Sequence, residues 1–354
     1  MNRITFDCEP AKKPVAGLYH FCLNLGNALL RNNDAGRERF TFYVHPSQAH
    51  LFGRDQQYTI RKPVHLIFKG ALHACDLWHS TIQDARYKPR HPRIKMVLTI
   101  HDLNFLIQRK NEPAKIKKYL NRVQACIDRA DYIVCISEFT RQAVLQHMQT
   151  HGKPVDLIYN GCNVNEFPGF DEPVYRPTNP FIFALGALVP KKNFHVLPCL
   201  LRGNNYELVI AGTRHTEYEQ RIMEQCNRFG VAHRVHFTGE IKEEDKYWYY
   251  KHCVAFAFPS LAEGFGLPLI EAMYYGKPAF IATTTSLPEI GGNLAYGFDH
   301  FDPEYMQDVF EKGMQHYYNK KPMQAITKRA LQYNWDQAAM AYLSVYRKLL
   351  SPVG

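Results

Sequence analysis

The stretch Pro259–Gly276, PSLAEGFGLPLIEAMYYG, decides how this chain is read. The apolar run Val254–Pro259 has the length and composition of a buried strand, and the glycine-rich turn that ends it passes into a helix over about Leu267–Tyr275. Pro268 suits the first helical turn, where the N–H that proline lacks would have no partner. Gly276 suits the exit, where the chain needs a left-handed residue. The helix start offers unpaired N–H groups and a partial positive charge, and Gly264 and Gly266, on either side of Phe265, admit a ligand to the main chain. That is an anion site by construction. Glu263 in the turn and Glu271 in the helix bracket it. Carboxylates beside a phosphate accept hydrogen bonds from hydroxyls, which a nucleotide sugar carries; the other reading is that the two acids only favour the helix start.

Outward from this stretch, the same succession of strand, turn and helix recurs through both halves, the pattern of parallel sheets covered by helices. In the second half, strands are expected at Phe181–Leu185, Glu207–Ala211, Val235–Thr238 and Pro278–Ala282. The first of these runs into Gly186–Asn193, GALVPKKN, where a small-residue turn and the adjacent Lys191 and Lys192 form a diphosphate clamp. In the first half, strands are expected at Arg3–Asp7, Lys95–Ile100 and Tyr132–Ile136, with a helix over Leu18–Leu30 and Gly17 at the turn before it. Two of these strands end in polar residues, His101-Asp102 and Ser137-Glu138, at the carboxyl ends where open α/β sheets bind ligands. An imidazole there donates a hydrogen bond or polarises a leaving group, which makes His101 the candidate for meeting a reacting sugar. His79, in DLWHST, is read as structural. A linker-like stretch rich in proline and glycine, Phe167–Pro180, separates the halves, and Trp335–Leu350 reads as a terminal helix with one docked face.

A chain of 354 residues exceeds what one core usually supports, so two domains are expected. The first residues lack the basic-then-apolar pattern of a signal peptide, no apolar run approaches a membrane span, and the nine cysteines are scattered singly; together these point to a cytoplasmic protein with reduced thiols. The basic excess lies in the first half, where residues 1–165 hold 24 Lys and Arg against 13 Asp and Glu. Clusters at Arg86, Lys88, Arg90, Arg93, Lys95 and at Arg109, Lys110, Lys115, Lys117, Lys118, Arg122 suit an anionic partner such as a membrane leaflet, or form a solvated basic face.

These pieces, in order, resemble the retaining glycosyltransferase family 4. The resemblance runs from VAGLYHF through LTIHDLNF, ISEFTRQAV, IYNGCNVNEF and ALGALVPKKN to FPSLAEGFGLPLIEAMYYGKP and TSLPEIGG. It implies an α/β protein of GT-B architecture, two Rossmann-like domains with parallel sheets facing a central cleft. Residues 1–168 would form the acceptor-side domain, residues 169–335 the nucleotide-sugar domain, and residues 336–354 a helix returning to the first. By motif position, the resemblance places Glu263 on the sugar hydroxyls and Glu271 on the ribose. It places Gly264, Phe265, Gly266, Leu267, Gly186 and Lys192 around the diphosphate, Gly17 under it, His101 on the transferred sugar, and the base near Glu240 and Ile241. Many members have an arginine where this chain has Ala187, and Lys191 is the residue that would supply that charge.

The resemblance implies transfer of a hexose of the mannose, glucose or N-acetylglucosamine type, with retention, from a nucleotide diphosphate sugar to a glycan or lipid-linked acceptor in bacterial polysaccharide synthesis. No Asp-x-Asp pair is poised to hold a divalent ion, and no metal or other cofactor is expected. The alternatives are a nucleotide-sugar epimerase or hydrolase of the same architecture, and a non-catalytic nucleotide-sugar or nucleic-acid binder. No Gly-x-Gly-x-x-Gly follows a strand, which argues against a dinucleotide dehydrogenase.

Overall fold

A computed structural model describes residues 1–11, 17–67, 72 and 74–351. Val15 and Ala16 of VAGLYHF, and residues 352–354 of the span assigned to the returning helix, lie outside the described residues. The chain divides into two units, one comprising Met1–Gly161 with Asn334–Gly354 and the other Cys162–Tyr333.

The first unit is built on a parallel sheet of β1 (Asn2–Cys8), β2 (Glu38–Val44), β3 (Gln57–Ile60), β4 (Leu77–Ser80), β5 (Lys95–Ile100), β6 (Tyr132–Cys135) and β7 (Val155–Leu157). Their spatial order is β3-β2-β1-β4-β5-β6-β7, so the winding reverses between β1 and β4. Helix α1 (Gly17–Asn32) buries Phe21, Cys22, Leu25 and Leu29, the apolar stripe visible in the sequence. The C-terminal helix, Trp335–Leu350, packs against α1. The Oδ1 of Asn334 caps its start by accepting from the N–H groups of Asp336 and Gln337. Its Tyr342 and Tyr346 reach the sheet, where they hydrogen-bond Thr99 at 2.9 Å and His79 at 2.6 Å.

The second unit repeats the plan with β8 (Phe181–Leu185), β9 (Glu207–Ala211), β10 (Val235–Gly239), β11 (Ala255–Phe258), β12 (Ala279–Ala282) and β13 (Tyr296–Phe298), ordered β10-β9-β8-β11-β12-β13. All of its pairings are parallel. The central strands FIFAL, ELVIA, AFAF and AFIA are buried almost throughout, as strands covered on both faces must be. The winding reverses between β8 and β11. At such a switch point the loops after the two central strands diverge and leave a crevice at their carboxyl ends. The two loops that leave this switch point are those marked from the sequence as anion sites, GALVPKKN after β8 and PSLAEGFG after β11.

Candidate active site

The helix after β11 runs over Leu267–Tyr274, one residue shorter than the expected span, because Tyr275 already leaves the helical conformation and Gly276 turns left-handed at φ +65°. Gly266 caps its start at φ +117°, and a side chain there would meet Leu287 at 2.9 Å as well as strain the backbone. Three neighbouring hydroxyls hold the turn in shape. Ser286 Oγ donates to the carbonyls of Glu263 and Phe265, Thr284 Oγ1 donates to that of Ser260, and Thr285 Oγ1 accepts from Glu263 N–H at 3.2 Å. Thr285 does this from a left-handed conformation, φ +56°, which a β-branched residue rarely adopts. None of the three was singled out beforehand; Thr285 and Ser286 open the stretch TSLPEIGG, and Thr284 precedes it.

The two anion loops meet directly. Leu261 N–H donates to the Lys191 carbonyl, and the Lys192 ammonium lies 2.6 Å from Glu263 Oε1 and 4.8 Å from the centre of the Phe258 ring. Both charged side chains are largely withdrawn from solvent, at 13% and 15% exposure, which strengthens their attraction and fixes the ammonium over the strand ends. Gly186, at φ +149°, lets the lysine stem pass, since a Cβ there would sit 3.0 Å from Lys192 Cε. Lysine has three N–H donors, so the contact with Glu263 leaves two for a ligand. Lys191 is exposed and forms no ion pair among the described residues.

Glu271 has a different environment. Its Oε1 accepts from the Lys246 ammonium at 3.0 Å and its Oε2 from the Tyr250 hydroxyl at 2.8 Å. Burial works against the charge on Lys246, but Glu271 and Glu243 outweigh it and hold the ammonium above its usual range. Burial and the Glu271 carboxylate push the Tyr250 hydroxyl well up, so it stays a donor. Lys246 and Tyr250 were not legible as site residues, because nothing in EEDKYWYY shows that it faces a helix some twenty residues further on. Two lone pairs on each carboxylate oxygen leave Glu271 able to accept further hydrogen bonds. Glu240, after β10, is exposed and accepts from Thr213 Oγ1 at 2.7 Å, while Ile241 beside it is half-buried.

In the first unit, the polar strand tips part company. Ser137 and Glu138 are spent on the helix Glu138–His147: the serine Oγ accepts from Thr140 N–H, and the glutamate pairs with Arg141. His101 stands beside the β1/β4 switch point, half-buried, its ring edge-to-face with Phe21. Its Nε2 lies 2.8 Å from the Thr81 carbonyl, which only accepts, so Nε2 carries the proton. Burial lowers its pKa, and in the resulting neutral ring Nδ1 is an acceptor. Asp102 turns back to Asn104 N–H at 2.9 Å. His79 is fully buried between Thr99 and Tyr346, and burial brings it down to about 3. Gly17 is exposed, and a Cβ there would meet nothing within 4 Å. The basic clusters thin out once folded. Lys88 donates to the Ala85 carbonyl, Lys95 pairs with Asp131, and Arg109 and Lys115 share Glu112. Arg86, Arg90, Arg93, Lys110, Lys117, Lys118 and Arg122 stay exposed.

Two Rossmann-ordered parallel sheets, the second with an ammonium and a glycine-lined helix start at its switch point, define the GT-B class of glycosyltransferases. The profile described as "Glycosyl transferases group 1" matches residues 170–332, and that described as "Glycosyltransferase Family 4" matches residues 24–166. The chain belongs to this glycosyltransferase family. It is 29% identical over 280 residues to the serotype-specific mannosyltransferase WbdA of Escherichia coli, an alignment covering 72% of this chain and 34% of that protein. The chain thus spans about a third of the length of that relative. Among solved structures, sucrose-phosphate synthase from Thermosynechococcus elongatus superimposes with a TM-score of 0.75 at 18% identity, covering 99% of both chains. HepE of Anabaena in complex with UDP-glucose gives 0.67 at 17% identity, covering 98% of this chain and 100% of that one. Both likenesses establish the fold.

Proposed function

We propose that this chain transfers a hexose, with retention and without a divalent metal ion, from a nucleoside diphosphate sugar to a glycan or lipid-linked acceptor during synthesis of a bacterial surface polysaccharide. The observation that carries the reading is the Lys192 ammonium held 2.6 Å from Glu263 at the β8/β11 switch point, beside a helix start lined by Gly264 and Gly266. Breaking the bond between the anomeric carbon and the diphosphate leaves an oxocarbenium-like sugar and puts negative charge on the departing phosphate. Lys192 and the N–H groups from Gly264 to Leu267 meet that charge, with Lys191 as a second, mobile cation. Glu263 accepts from hydroxyls of the sugar and Glu271 from those of the ribose, while the base lies along Glu240 and Ile241. Neutral His101 receives a sugar hydroxyl at Nδ1. With retention, the acceptor attacks from the face the phosphate leaves, and that phosphate takes the acceptor proton.

Likeness to WbdA favours mannose among the hexoses, and the bound UDP-glucose of HepE supports a nucleotide sugar as donor. The exposed Lys110, Lys117, Lys118 and Arg122 fit contact with an anionic membrane surface, where such an acceptor resides; no helix among the described residues is long and apolar enough to cross a membrane. Incubation with GDP-mannose, UDP-glucose and UDP-N-acetylglucosamine and a panel of lipid-linked saccharides, with the product anomer read by NMR, tests the reading. One donor turned over only when an acceptor is present, giving a product of the donor's configuration, is the expected result. Turnover at the same rate without acceptor assigns the site to hydrolysis, and an inverted product removes the front-face mechanism.

A further inference from the structure

A cavity of about 390 Å³ lies at the carboxyl ends of the first sheet, within the range of about 300–1,000 Å³ usual for small-molecule sites. Its charged lining follows three strands: Glu9 after β1, Arg61 after β3, and Asp84 and Arg86 after β4. The winding of this sheet reverses between β1 and β4, so the cavity sits where an open α/β sheet takes its ligands. The segment after β4 is also tied to His101. The Thr81 carbonyl accepts from His101 Nε2 at 2.8 Å, Gln83 Oε1 accepts from His101 N–H at 3.3 Å, and Gln83 Nε2 donates to the Asp102 carbonyl at 3.1 Å. The cavity is thus held beside the residue assigned to the transferred sugar.

The four charges balance in number and differ in commitment. Arg61 Nη1 lies 3.1 Å from Glu9 Oε1, and its guanidinium stands 5.7 Å from the centre of the buried Tyr87 ring, so this pair is fixed before a ligand arrives. Asp84 is half-buried and has neither a hydrogen bond nor an ion pair among the described residues; Arg86, two residues on, is exposed and equally unpaired. A carboxylate drawn out of water without a donor loses hydration and gains nothing in return. Carboxylates only accept and guanidinium groups only donate, whereas a sugar hydroxyl does both. An uncharged sugar ring therefore serves Asp84 and Arg86 together. A phosphate or a uronate would gain Arg86 but lie against the Asp84 carboxylate, and like charges a few ångströms apart repel.

We infer that this cavity receives the acceptor and that the sugar residue it holds is uncharged, with Asp84 as the residue that excludes anionic ones. Asp84 accepts from the hydroxyls of that residue, and Arg86 donates to them. Where a lipid diphosphate carries the glycan, its phosphates lie outside this cavity. The word acceptor rests on the transfer reading; selectivity for an uncharged sugar does not.

Ligand-observed NMR titration of the full chain and of Asp84→Asn with methyl α-mannoside, methyl α-glucoside, mannose 6-phosphate and glucuronate tests it. In the parent, a neutral glycoside is expected to bind, and both acidic sugars to bind more weakly by about tenfold or more, the effect of one nearby like charge. Asp84→Asn should weaken the neutral glycoside by about fivefold, as a charge-assisted hydrogen bond becomes a neutral one, and should tighten the acidic sugars. A merely structural role would weaken all four alike, and a thermal melt matching the parent establishes that the fold is kept. No binding by either glycoside, acidic sugars that bind as tightly in the parent, or an unchanged preference in the variant overturns the proposal. Nucleoside diphosphate binding is measured on the same samples. If it is present while the glycosides fail, this inference falls and the transfer reading stands; if the glycosides discriminate as expected and no nucleotide binds, the reverse holds. With donor added, a raised KM for the glycoside in Asp84→Asn at unchanged nucleotide affinity supports its role as acceptor, and an unchanged KM overturns that role.

Discussion

Lys192 and Lys191 are adjacent in the chain and unlike in the fold: one is withdrawn against Glu263 and Phe258, the other exposed. The ammonium of Lys192 is preorganised for a phosphate, and Lys191 must pay rotamer entropy to reach one. Lys192→Ala is therefore expected to weaken nucleoside diphosphate binding by about ten- to a hundredfold, the range of one charge-assisted hydrogen bond, and Lys191→Ala by much less. Equal effects in a calorimetric titration would contradict the distinction. His101→Ala should lower kcat with little change in nucleotide affinity, since its free nitrogen is assigned to the sugar. Sequence reading took His101, at the tip of KMVLTI, as the candidate and left His79, a weaker strand-tip case, as structural; the structure shows the second locked between Thr99 and Tyr346. It did not find Lys246 or Tyr250, whose service to Glu271 depends on packing between two helices.

At the scale of elements, the strands of the second unit were legible because runs such as FIFAL and AFIA are apolar on both faces. β2, β3, β7 and β13 were missed, and β4 was noticed only as the strand tip that carries His79. ERFTFYV carries the partial polar–apolar alternation of a half-buried strand and went unread, and β7 and β13 are only three residues long, too short for any periodic signal. The segment Val174–Asn179 looked like a bare linker, yet Glu207 binds it down. Oε1 accepts from Thr178 N–H, Thr178 Oγ1 and Asn179 N–H, and Oε2 accepts from the Tyr175 hydroxyl. Burial alone would raise the pKa of this carboxyl, but those donors prevail and bring it down to about 2. A folded pKa below the ordinary 4.5 means that the carboxylate stabilises fully above that pH and loses its contribution as the pH falls toward 2. Glu207→Gln should cost about 2–3 kcal/mol at neutral pH and flatten the acid dependence of the urea midpoint over that window. An unchanged pH profile would sink this account. Tyr346→Phe, which leaves His79 Nδ1 without its partner in a buried site, should cost about 1–3 kcal/mol in the same measurement.

For the whole molecule, the C-terminal helix belongs structurally to the unit that begins the chain. It buries Trp335, Ala338, Ala339, Tyr342, Leu343, Val345 and Tyr346. Each large apolar side chain contributes about 1.5–3 kcal/mol on burial, and the sum rivals the 5–15 kcal/mol typical of a folded domain. Deletion of residues 335–354 should leave the first unit unfolded, seen as lost near-ultraviolet dichroism, while a fragment of the second unit retains cooperative melting. Transfer should survive excess EDTA, because the diphosphate charge is assigned to Lys192 and main-chain N–H groups; a loss of activity restored by Mg²⁺ or Mn²⁺ would contradict that assignment. The most direct test of the central claim, that the β8/β11 switch point grips a nucleoside diphosphate, is a thermal-shift titration of the full chain and of Lys192→Ala with GDP, UDP and ADP. One diphosphate should raise the melting temperature of the parent, reaching about 2.7 kcal/mol of stabilisation at a hundred times its dissociation constant, and should do markedly less for the variant. No shift with any of the three, or the same shift in both proteins, would contradict it.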